Sequence, residues 1–258
     1  MNIYPIQFVG AGPGDPELIT VKGARALERA DLVIYAGSLV PEAVLYWTPR
    51  DAEKVSSAGL HLEEIVSLMA ARQEKGHRVV RLHSGDPSLY GAIAEQMHAL
   101  DEYNIPYEQI PGVSAAFAAA ASLRMEYTLP EVCQTLILTR AEGRTPVPET
   151  EHLRSLAQHQ SSMAIYLSAG LADKVQAVLE ESYGPDSQVA VVHKASHPDE
   201  QIISTTAKEL AYRIQERGIK GQALIIAGPS LNSARNLHPA SRLYDREFTH
   251  GYRQGEGQ

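Results

Sequence analysis

Short apolar runs alternate with stretches of helical periodicity along the first half of the chain, as in an α/β protein with a parallel sheet. The runs predict strands over residues 6–9, 31–35, 78–82 and 107–110. A helix with one buried face is predicted between the first two strands by the spacing of Leu18, Val21, Ala24 and Leu27. A longer helix is expected over 62–75, with its inward face formed by Ile65, Val66 and Met69.

The second half alternates in the same way, but two of its strands follow each other directly. Strands are predicted over 134–139, 163–167, 188–192, 201–204 and 223–227, and helices over 149–158, 171–181 and 208–217. The two neighbouring strands around His197-Pro198-Asp199 indicate a hairpin, and therefore a mixed sheet.

An alanine-rich helix, predicted over 115–121, lies between the two halves and allows close backbone approach. We therefore expect an N-terminal α/β domain over 1–114, a C-terminal α/β domain over 115–230, and a polar, surface-lying tail over 231–258.

Composition excludes several classes of protein. The formal charge of −8, from 31 acidic and 23 basic residues, argues against a nucleic-acid or membrane-surface binder. Cys133 is alone, which excludes an internal disulfide and a cysteine-based zinc cluster. A His-Glu-x-x-His motif is absent, and His193 and His197 fall on a strand and a turn, so no metal site is predicted. Without a visible signal peptide or an apolar run of roughly 20 residues, we expect a cytoplasmic protein.

Chemistry is concentrated in glycine-rich turns that follow the predicted strands. The first, Val9-Gly10-Ala11-Gly12-Pro13-Gly14-Asp15, resembles a dinucleotide cradle, but its third required glycine position holds Asp15. The second strand ends Tyr35-Ala36-Gly37, without the carboxylate that a ribose needs. A P-loop and a serine-hydrolase elbow fail as well, since no Gly-Lys-Ser/Thr follows the turn and Gly112-Val113-Ser114-Ala115-Ala116 lacks the second glycine.

Two more turns of this kind follow the later strands, at Gly85–Gly91 and Pro111–Ala115. In a parallel sheet all three turns lie at the carboxyl edge, where α/β proteins bind ligands. A fourth candidate turn is Leu167-Ser168-Ala169-Gly170. The sequence therefore favours an enzyme that binds small molecules at this edge.

These turns resemble those of a known family, the tetrapyrrole methylases, which use S-adenosyl-methionine. The resemblance spans Val9 to about Ala227 and is carried, in order, by Val9–Asp15, Ser84-Gly85-Asp86-Pro87, Pro111–Ala115, Ala164-Ile165-Tyr166-Leu167 and Val189-Ala190-Val191-Val192. Two further segments, Tyr35–Val40 and Leu243–Gly251, resemble a branch of the family that acts in cobalamin synthesis.

The resemblance implies two α/β/α domains of the tetrapyrrole-methylase type, with the cofactor in the cleft between them, and a homodimer. It implies cofactor contacts at Gly85, Asp86, Leu89, Ser114, Ala115, Leu167, Ala195 and Ala223. A trough for the tetrapyrrole substrate would be bordered by Gly12, Pro13, Gly14 and Asp15. Lys22, Lys54 and Arg140 are candidates to meet the substrate carboxylates.

One departure separates the chain from the uroporphyrinogen methyltransferases of the family. They carry an acidic residue after the tyrosine of the second strand, where this chain has Ala36, and a lysine in the region that here is Ser56-Ser57-Ala58-Gly59. The general base is therefore unidentified. Methyl transfer needs chiefly alignment, which can contribute roughly 7–11 kcal/mol. Asp86 is expected to accept from cofactor hydroxyls, the role that the resemblance favours, or to brace its turn, rather than to act as a base. The alternatives are another methyltransferase of the same family, acting on a different precorrin or on uroporphyrinogen, and, from other classes, a nucleotide-dependent oxidoreductase and a non-catalytic tetrapyrrole carrier.

Overall fold

The computed structural model describes residues 3–233 and 241–255 and divides into two compact units. The first comprises Met1–Ala119 and Lys194–Glu200, and the second Ala120–His193 and Gln201–Gln258. The division falls inside helix α4 (Ala115–Leu123), a few residues beyond the predicted boundary. Of the predicted tail, residues 234–240 and 256–258 lie outside the described residues.

The first unit is built on a parallel sheet. Its strands are β1 (Ile6–Gly10), β2 (Leu32–Tyr35), β3 (Glu53–Ser56), β4 (Val79–His83) and β5 (Tyr107–Ile110). Its helices are α1 (Val21–Leu27), α2 (Leu62–Gln73), α3 (Ala94–Glu102) and the start of α4, with short 3-10 helices at Pro16–Leu18 and Glu42–Trp47. Within the described residues the strand order is β3-β2-β4-β1-β5, so β1 lies between β4 and β5. The sequence did not predict β3, because this edge strand is mostly exposed and has no apolar run.

Both faces of this sheet are covered, because successive residues of each strand point to opposite faces and apolar residues occur on both. Val9, Val80 and Leu82 pack on the side of α1, whereas Ile6, Phe8 and Ile34 pack on the side of α2 and α3. The predicted inward face of α2 is confirmed, since its three members are buried.

Two of the four positions predicted for the first helix are wrong. Leu18 lies in the 3-10 helix Pro16–Leu18, before α1 begins. Val21 is 67% exposed, because α1 begins at this residue. Its N-cap is Thr20, whose hydroxyl accepts a hydrogen bond from the Gly23 amide at 3.1 Å and fixes where the helix starts. The buried face therefore starts at Gly23 and Ala24 rather than at Val21.

The second unit contains a mixed sheet, as predicted. Its strands are β6 (Leu136–Arg140), β7 (Ser162–Tyr166), β8 (Gln188–His193), β9 (Gln201–Thr206) and β10 (Ala223–Ala227). Its helices are the end of α4, α5 (Leu153–Ala157), α6 (Ala172–Tyr183), α7 (Leu210–Glu216) and α8 (Pro229–Ser233). In the described chain the order is β6-β7-β10-β8-β9; only β6 and β7 pair in parallel, and β8 and β9 form the expected antiparallel pair.

The core of the second unit lies between this sheet and α5, α6 and α7. Leu153, Val175 and Leu210 of these helices pack with strand residues such as Met163 and Val191. The chain is polar from Pro229 onward, yet Ser230 in α8 is buried, so the end of the predicted C-terminal domain is packed rather than surface-lying. No helix in the described ranges combines the length and apolar character that a membrane span requires.

Candidate active site

Three glycine-rich turns meet at the carboxyl edge of the first sheet, as the sequence predicted. Their strands β4, β1 and β5 are neighbours. The amide of Ala11 donates to the His83 carbonyl at 2.7 Å, and the amide of Gly85 donates to the Gly12 carbonyl at 2.8 Å. The turns after β1 and β4 are therefore joined by backbone hydrogen bonds.

Glycine is required where these turns touch. A Cβ atom at Gly10 would lie 2.5 Å from the Cα of Gly112 and 2.6 Å from the carbonyl oxygen of Gly85. A Cβ atom at Gly112 would overlap the same carbonyl oxygen and lie 2.8 Å from the Cα of Gly10. The three turns thus pack backbone against backbone.

Gly85 differs from its two neighbours because its side-chain position is open. Its φ is +63°, and a Cβ atom would come no closer than 4.0 Å to the Val113 carbonyl oxygen and the Ser114 Cα. Glycine is favoured here by backbone conformation, and the space beside it is bounded by the third turn. This space is the opening that a ligand at the turns could fill.

Asp86 braces the second turn against the third. Its Oδ2 accepts from the Gly112 amide at 2.8 Å, and its Oδ1 accepts from the Ser88 amide at 2.8 Å and from the Ser88 hydroxyl. Burial by itself raises the pKa of this carboxyl, but the hydrogen bonds from Ser88 and Gly112 outweigh it and hold the pKa below its ordinary value. Of the two expected roles, these contacts support the brace.

The remaining first-unit positions follow from these turns. The amide of Leu89 donates to the Asp86 carbonyl at 3.2 Å. Ser114 is buried, and its carbonyl accepts from the amides of Phe117 and Ala118 at the start of α4, next to Ala115. Gly85, Asp86, Leu89, Ser114 and Ala115 are therefore brought to one edge.

The first turn is covered by a segment that sequence reasoning missed. Ser196, from Lys194–Glu200 of the first unit, accepts a hydrogen bond on its Oγ from the Asp15 amide at 3.0 Å. The imidazole of His197 occupies the side-chain position of Gly14, with Nε2 2.5 Å from where a Cβ would stand. Gly12, Pro13 and Gly14 are buried, and Asp15 is half-buried.

This covering segment has a constrained backbone. Lys194 and Ser196 have φ values of 52° and 65°, and Ala195 between them is buried. The Ser196 amide donates to the Glu200 carboxylate at 2.6 Å, and Lys194 pairs with Asp199. Two sequence signals pointed to this segment: the His-Pro-Asp turn, which predicts a hairpin, and the resemblance, which implies a cofactor contact at Ala195. Neither predicts that the segment covers the first turn.

Leu167 and Ala223 lie in the second unit and share one edge of its sheet. The antiparallel register of β7 and β10 pairs Ile165 with Ile225, which sets Leu167 opposite Ala223. Leu167 is 66% exposed and has a φ of 53°, unusual for a large apolar residue. Beneath it the Ser168 hydroxyl accepts from the Ala141 amide at 2.9 Å and donates to the Tyr166 carbonyl at 2.6 Å.

The cations suggested for the substrate carboxylates are engaged by the protein itself. Lys22 pairs with Glu108 at 3.2 Å, and Lys54 donates to the Pro49 carbonyl at 3.0 Å. Arg140 donates to the carbonyls of Thr145 and Pro146. The structure therefore gives no support to a substrate role for these three side chains.

A buried basic pair lies directly before the second turn. Arg81 donates to the Gln96 side chain at 3.1 Å and to the Ile34 carbonyl at 3.2 Å, and burial lowers its pKa to about 10, so it remains charged at neutral pH. Burial, and then the charge of Arg81, lower the pKa of His83 to about 3. His83 is therefore a neutral imidazole, and within the described chain its Nε2 has no hydrogen-bond partner.

The fold and these turns are typical of α/β proteins that bind small molecules at strand ends, and the chain has neither a P-loop nor a dinucleotide fingerprint. The chain belongs to the tetrapyrrole (corrin/porphyrin) methylases, whose family model matches residues 5–211. It is 53% identical over 254 residues to a cobalt-precorrin-4 C(11)-methyltransferase of Methanocaldococcus jannaschii, covering 98% of this chain and 97% of that protein.

Solved structures agree with this assignment. The X-ray structure of a cobalt precorrin-4 methyltransferase of cobalamin biosynthesis matches with a TM-score of 0.85 and 48% identity, over 88% of this chain and 95% of the other. A uroporphyrin-III C-methyltransferase from Thermus thermophilus, complexed with S-adenosyl-homocysteine, matches with a TM-score of 0.72 and 27% identity, over 89% of this chain and 99% of the other. The α/β class with one parallel and one mixed sheet is thereby confirmed.

Proposed function

We propose that this protein transfers a methyl group from S-adenosyl-methionine to C11 of precorrin-4, or of cobalt-precorrin-4, in cobalamin biosynthesis. The observation that carries the proposal is the 53% identity over nearly the full length to a relative of that activity. Identity to the uroporphyrin-III enzyme of known structure is about half of that value, at 27%.

The turns of the first unit fit the proposed methyl donor. The open position at Gly85, bounded by Val113 and Ser114, leaves room for a ligand against exposed backbone. We assign donor contacts to Gly85, Asp86, Leu89, Ser114, Ala115 and Ala195 in the first unit, and to Leu167 and Ala223 in the second. S-adenosyl-methionine, when bound, supplies an electrophilic methyl group on its sulfonium.

The contribution of the protein is then alignment. Carbon, methyl and sulfur must lie in line, and holding reactants in such geometry can lower a barrier by roughly 7–11 kcal/mol. The hydrogen bonds of Asp86 to Ser88 and Gly112 make the second and third turns a single rigid edge. His83 stays neutral beneath it and adds no positive charge next to the proposed sulfonium.

The first turn is proposed to face the macrocycle, through Gly12, Pro13, Gly14 and Asp15. Ser196 fixes the Asp15 amide and the His197 ring covers Gly14. These contacts set how much of the turn a substrate can reach, so they belong to the proposed substrate side of the site.

Residues at the ends of β2 and β3 support the precorrin branch over uroporphyrinogen. Where uroporphyrinogen methyltransferases carry an acid and a lysine, this chain has Ala36 and a serine-rich segment. The Ser57 amide donates to the Tyr35 carbonyl at 2.9 Å, and the Ser56 side chain fills the space beside Gly37. Neutral side chains thus occupy the two regions where the uroporphyrinogen methyltransferases carry an acid and a lysine.

We further propose that the enzyme works in the cytoplasm as a homodimer. Light scattering on the purified chain should give about twice the mass of 28.1 kDa. A monomeric mass would contradict the dimer and leave the chemistry untouched.

Label transfer tests the proposed reaction. The protein is incubated with methyl-labelled S-adenosyl-methionine and, in separate arms, precorrin-4, cobalt-precorrin-4 and uroporphyrinogen III. We expect label at C11 of one or both of the first two substrates. Label only on uroporphyrinogen would move the enzyme to that branch, and an absence of transfer together with no calorimetric binding of S-adenosyl-homocysteine at high micromolar concentration would reject a methyltransferase.

A further inference from the structure

A second pocket lies at the opposite end of the first sheet from the glycine-rich turns. It has a volume of about 450 Å³, and its lining includes Tyr4, Lys22, Arg25, Arg29, Arg78 and Glu108. Tyr4 precedes β1 and Arg78 precedes β4, so the pocket is at the amino ends of these strands. Its lining reaches Gln7 and Glu108, the second residues of β1 and β5, and at a rise of about 3.3 Å per residue Gln7 lies roughly 10 Å from the turn at Gly10.

The lining of this pocket is strongly basic on a chain of net charge −8. It contains four cationic side chains and one carboxylate, Glu108. Glu108 accepts from the Gln7 side chain at 2.6 Å and pairs with Lys22 at 3.2 Å. The hydrogen bond from Gln7, and to a smaller degree Lys22, holds the pKa of Glu108 below its ordinary value, so it neutralises only Lys22.

The side chains of the other three cations form no ion pair within the described residues, although the Arg78 amide donates to the Asp31 carboxylate at 2.7 Å. Arg78 lies over the Tyr4 ring, 4.4 Å from its centroid, and donates to the Tyr4 hydroxyl at 3.2 Å. Arg25 and Arg29 form neither a hydrogen bond through the side chain nor an ion pair in the described chain. Other basic side chains are neutralised by an acidic partner, as in the pairs Arg72–Glu53 and Arg154–Glu181.

Three converging guanidinium groups repel each other unless an anion lies between them. The dipole of helix α1 explains one of these cations, because it favours a positive charge at the last turn, where Arg25 lies. It does not explain Arg78, which precedes β4. Guanidinium groups bind carboxylate and phosphate oxygens through paired N–H donors. A volume of 450 Å³ is within the range of small-molecule sites.

We propose that this basic pocket binds a small polyanion, with two or more phosphate or carboxylate groups, through Arg25, Arg29 and Arg78. The ligand is separate from the methyl donor and from the methyl acceptor, because the pocket lies at the other end of the sheet. This site does not depend on the proposed reaction.

Calorimetry at constant ionic strength tests the pocket, with tripolyphosphate in one arm and tricarballylate in the other. We expect one-to-one binding of at least one of them, and the stronger of the two identifies phosphate or carboxylate as the natural group. The double variant Arg25→Gln/Arg29→Gln should weaken binding about tenfold or more, because two charge-assisted contacts are lost. Both arginines are exposed, so the fold should be kept.

The matched control is Arg50→Gln/Arg217→Gln, which removes the same charge at two exposed positions outside the pocket. Its affinity should equal that of the unsubstituted protein. Equal weakening in both double variants would mean attraction by net charge alone and would overturn the site. An absence of binding in both arms would also overturn the site. If neither small anion binds but an acidic polypeptide does, the pocket binds a protein partner and the proposal is likewise overturned.

Discussion

Replacing Gly85 with alanine separates the role of this glycine in the fold from its proposed role in binding. The new methyl group meets no protein atom closer than 4.0 Å. The φ of +63° is unfavourable for an L-residue by roughly 1–2 kcal/mol. We therefore expect only this modest loss in the free energy of unfolding.

Binding of S-adenosyl-homocysteine should suffer more, because the methyl group enters the space assigned to the ligand. Overpacking by one methyl group typically costs about 1–3 kcal/mol, which corresponds to an affinity about tenfold lower or more. Calorimetry measures this loss, and urea unfolding without ligand measures the loss in stability.

Gly218→Ala is the control. Gly218 has a φ of +62°, and no atom stands within 4 Å of its Cβ position, so the backbone cost should equal that at Gly85. It lies at the end of α7 in the second unit, and its variant should bind S-adenosyl-homocysteine with unchanged affinity. If Gly85→Ala also binds with unchanged affinity, the open space is not part of the donor site and the reasoning is refuted.

Four further substitutions probe the same edge. Gly112→Ala should lower the free energy of unfolding, measured in urea, by about 3 kcal/mol or more, since its Cβ would overlap backbone atoms. Gly14→Ala should cost under about 1 kcal/mol, because its Cβ would meet only the side-chain ring of His197. Equal losses in the two variants would contradict this packing. Asp86→Asn should cost about 1.5–3 kcal/mol at pH 7 through its charge-assisted bonds, and the difference from the unsubstituted protein should shrink as pH falls and the carboxyl is protonated. The pKa of His83 is about 3 in the folded chain and near 6.5 in the unfolded chain. Between these two pH values the unfolded chain binds one more proton than the folded chain, so the free energy of unfolding decreases as the pH is lowered, by about 2 kcal/mol at pH 5. His83→Gln should remove this contribution. If the free energy of unfolding decreases by the same amount between pH 7 and pH 5 in the variant and in the unsubstituted protein, the contribution is ruled out.

The meeting of the three glycine-rich turns could be predicted from the sequence, because parallel strands bring every turn that follows a strand to the same edge of the sheet. The turns at Gly10, Gly85 and Gly112 each follow an apolar run, and they do meet. The mixed character of the second sheet was predictable for a similar reason, since two adjacent strands without a helix between them can only pair antiparallel through a short connection.

Other features were decided by contacts between distant residues. Asp86 reaches the Gly112 amide across 26 positions, and with the Ser88 amide this gives both of its carboxylate oxygens a donor from the protein itself. The start of α1 at Thr20, rather than apolar spacing, decided that Val21 faces solvent. Edge strand β3 gave no apolar signal, because hydrogen bonds to β2 rather than burial hold it in place.

The sequence by itself determined the α/β class, the positions of the glycine-rich turns and the likeness to the tetrapyrrole methylases. Those properties depend on local periodicity and on short motifs. Only the tertiary structure decided that Ser196 and His197 cover the first turn, 181 residues from Asp15 in the case of Ser196. Such contacts depend on how separate strands and loops pack, which neither hydrophobic spacing nor a motif specifies.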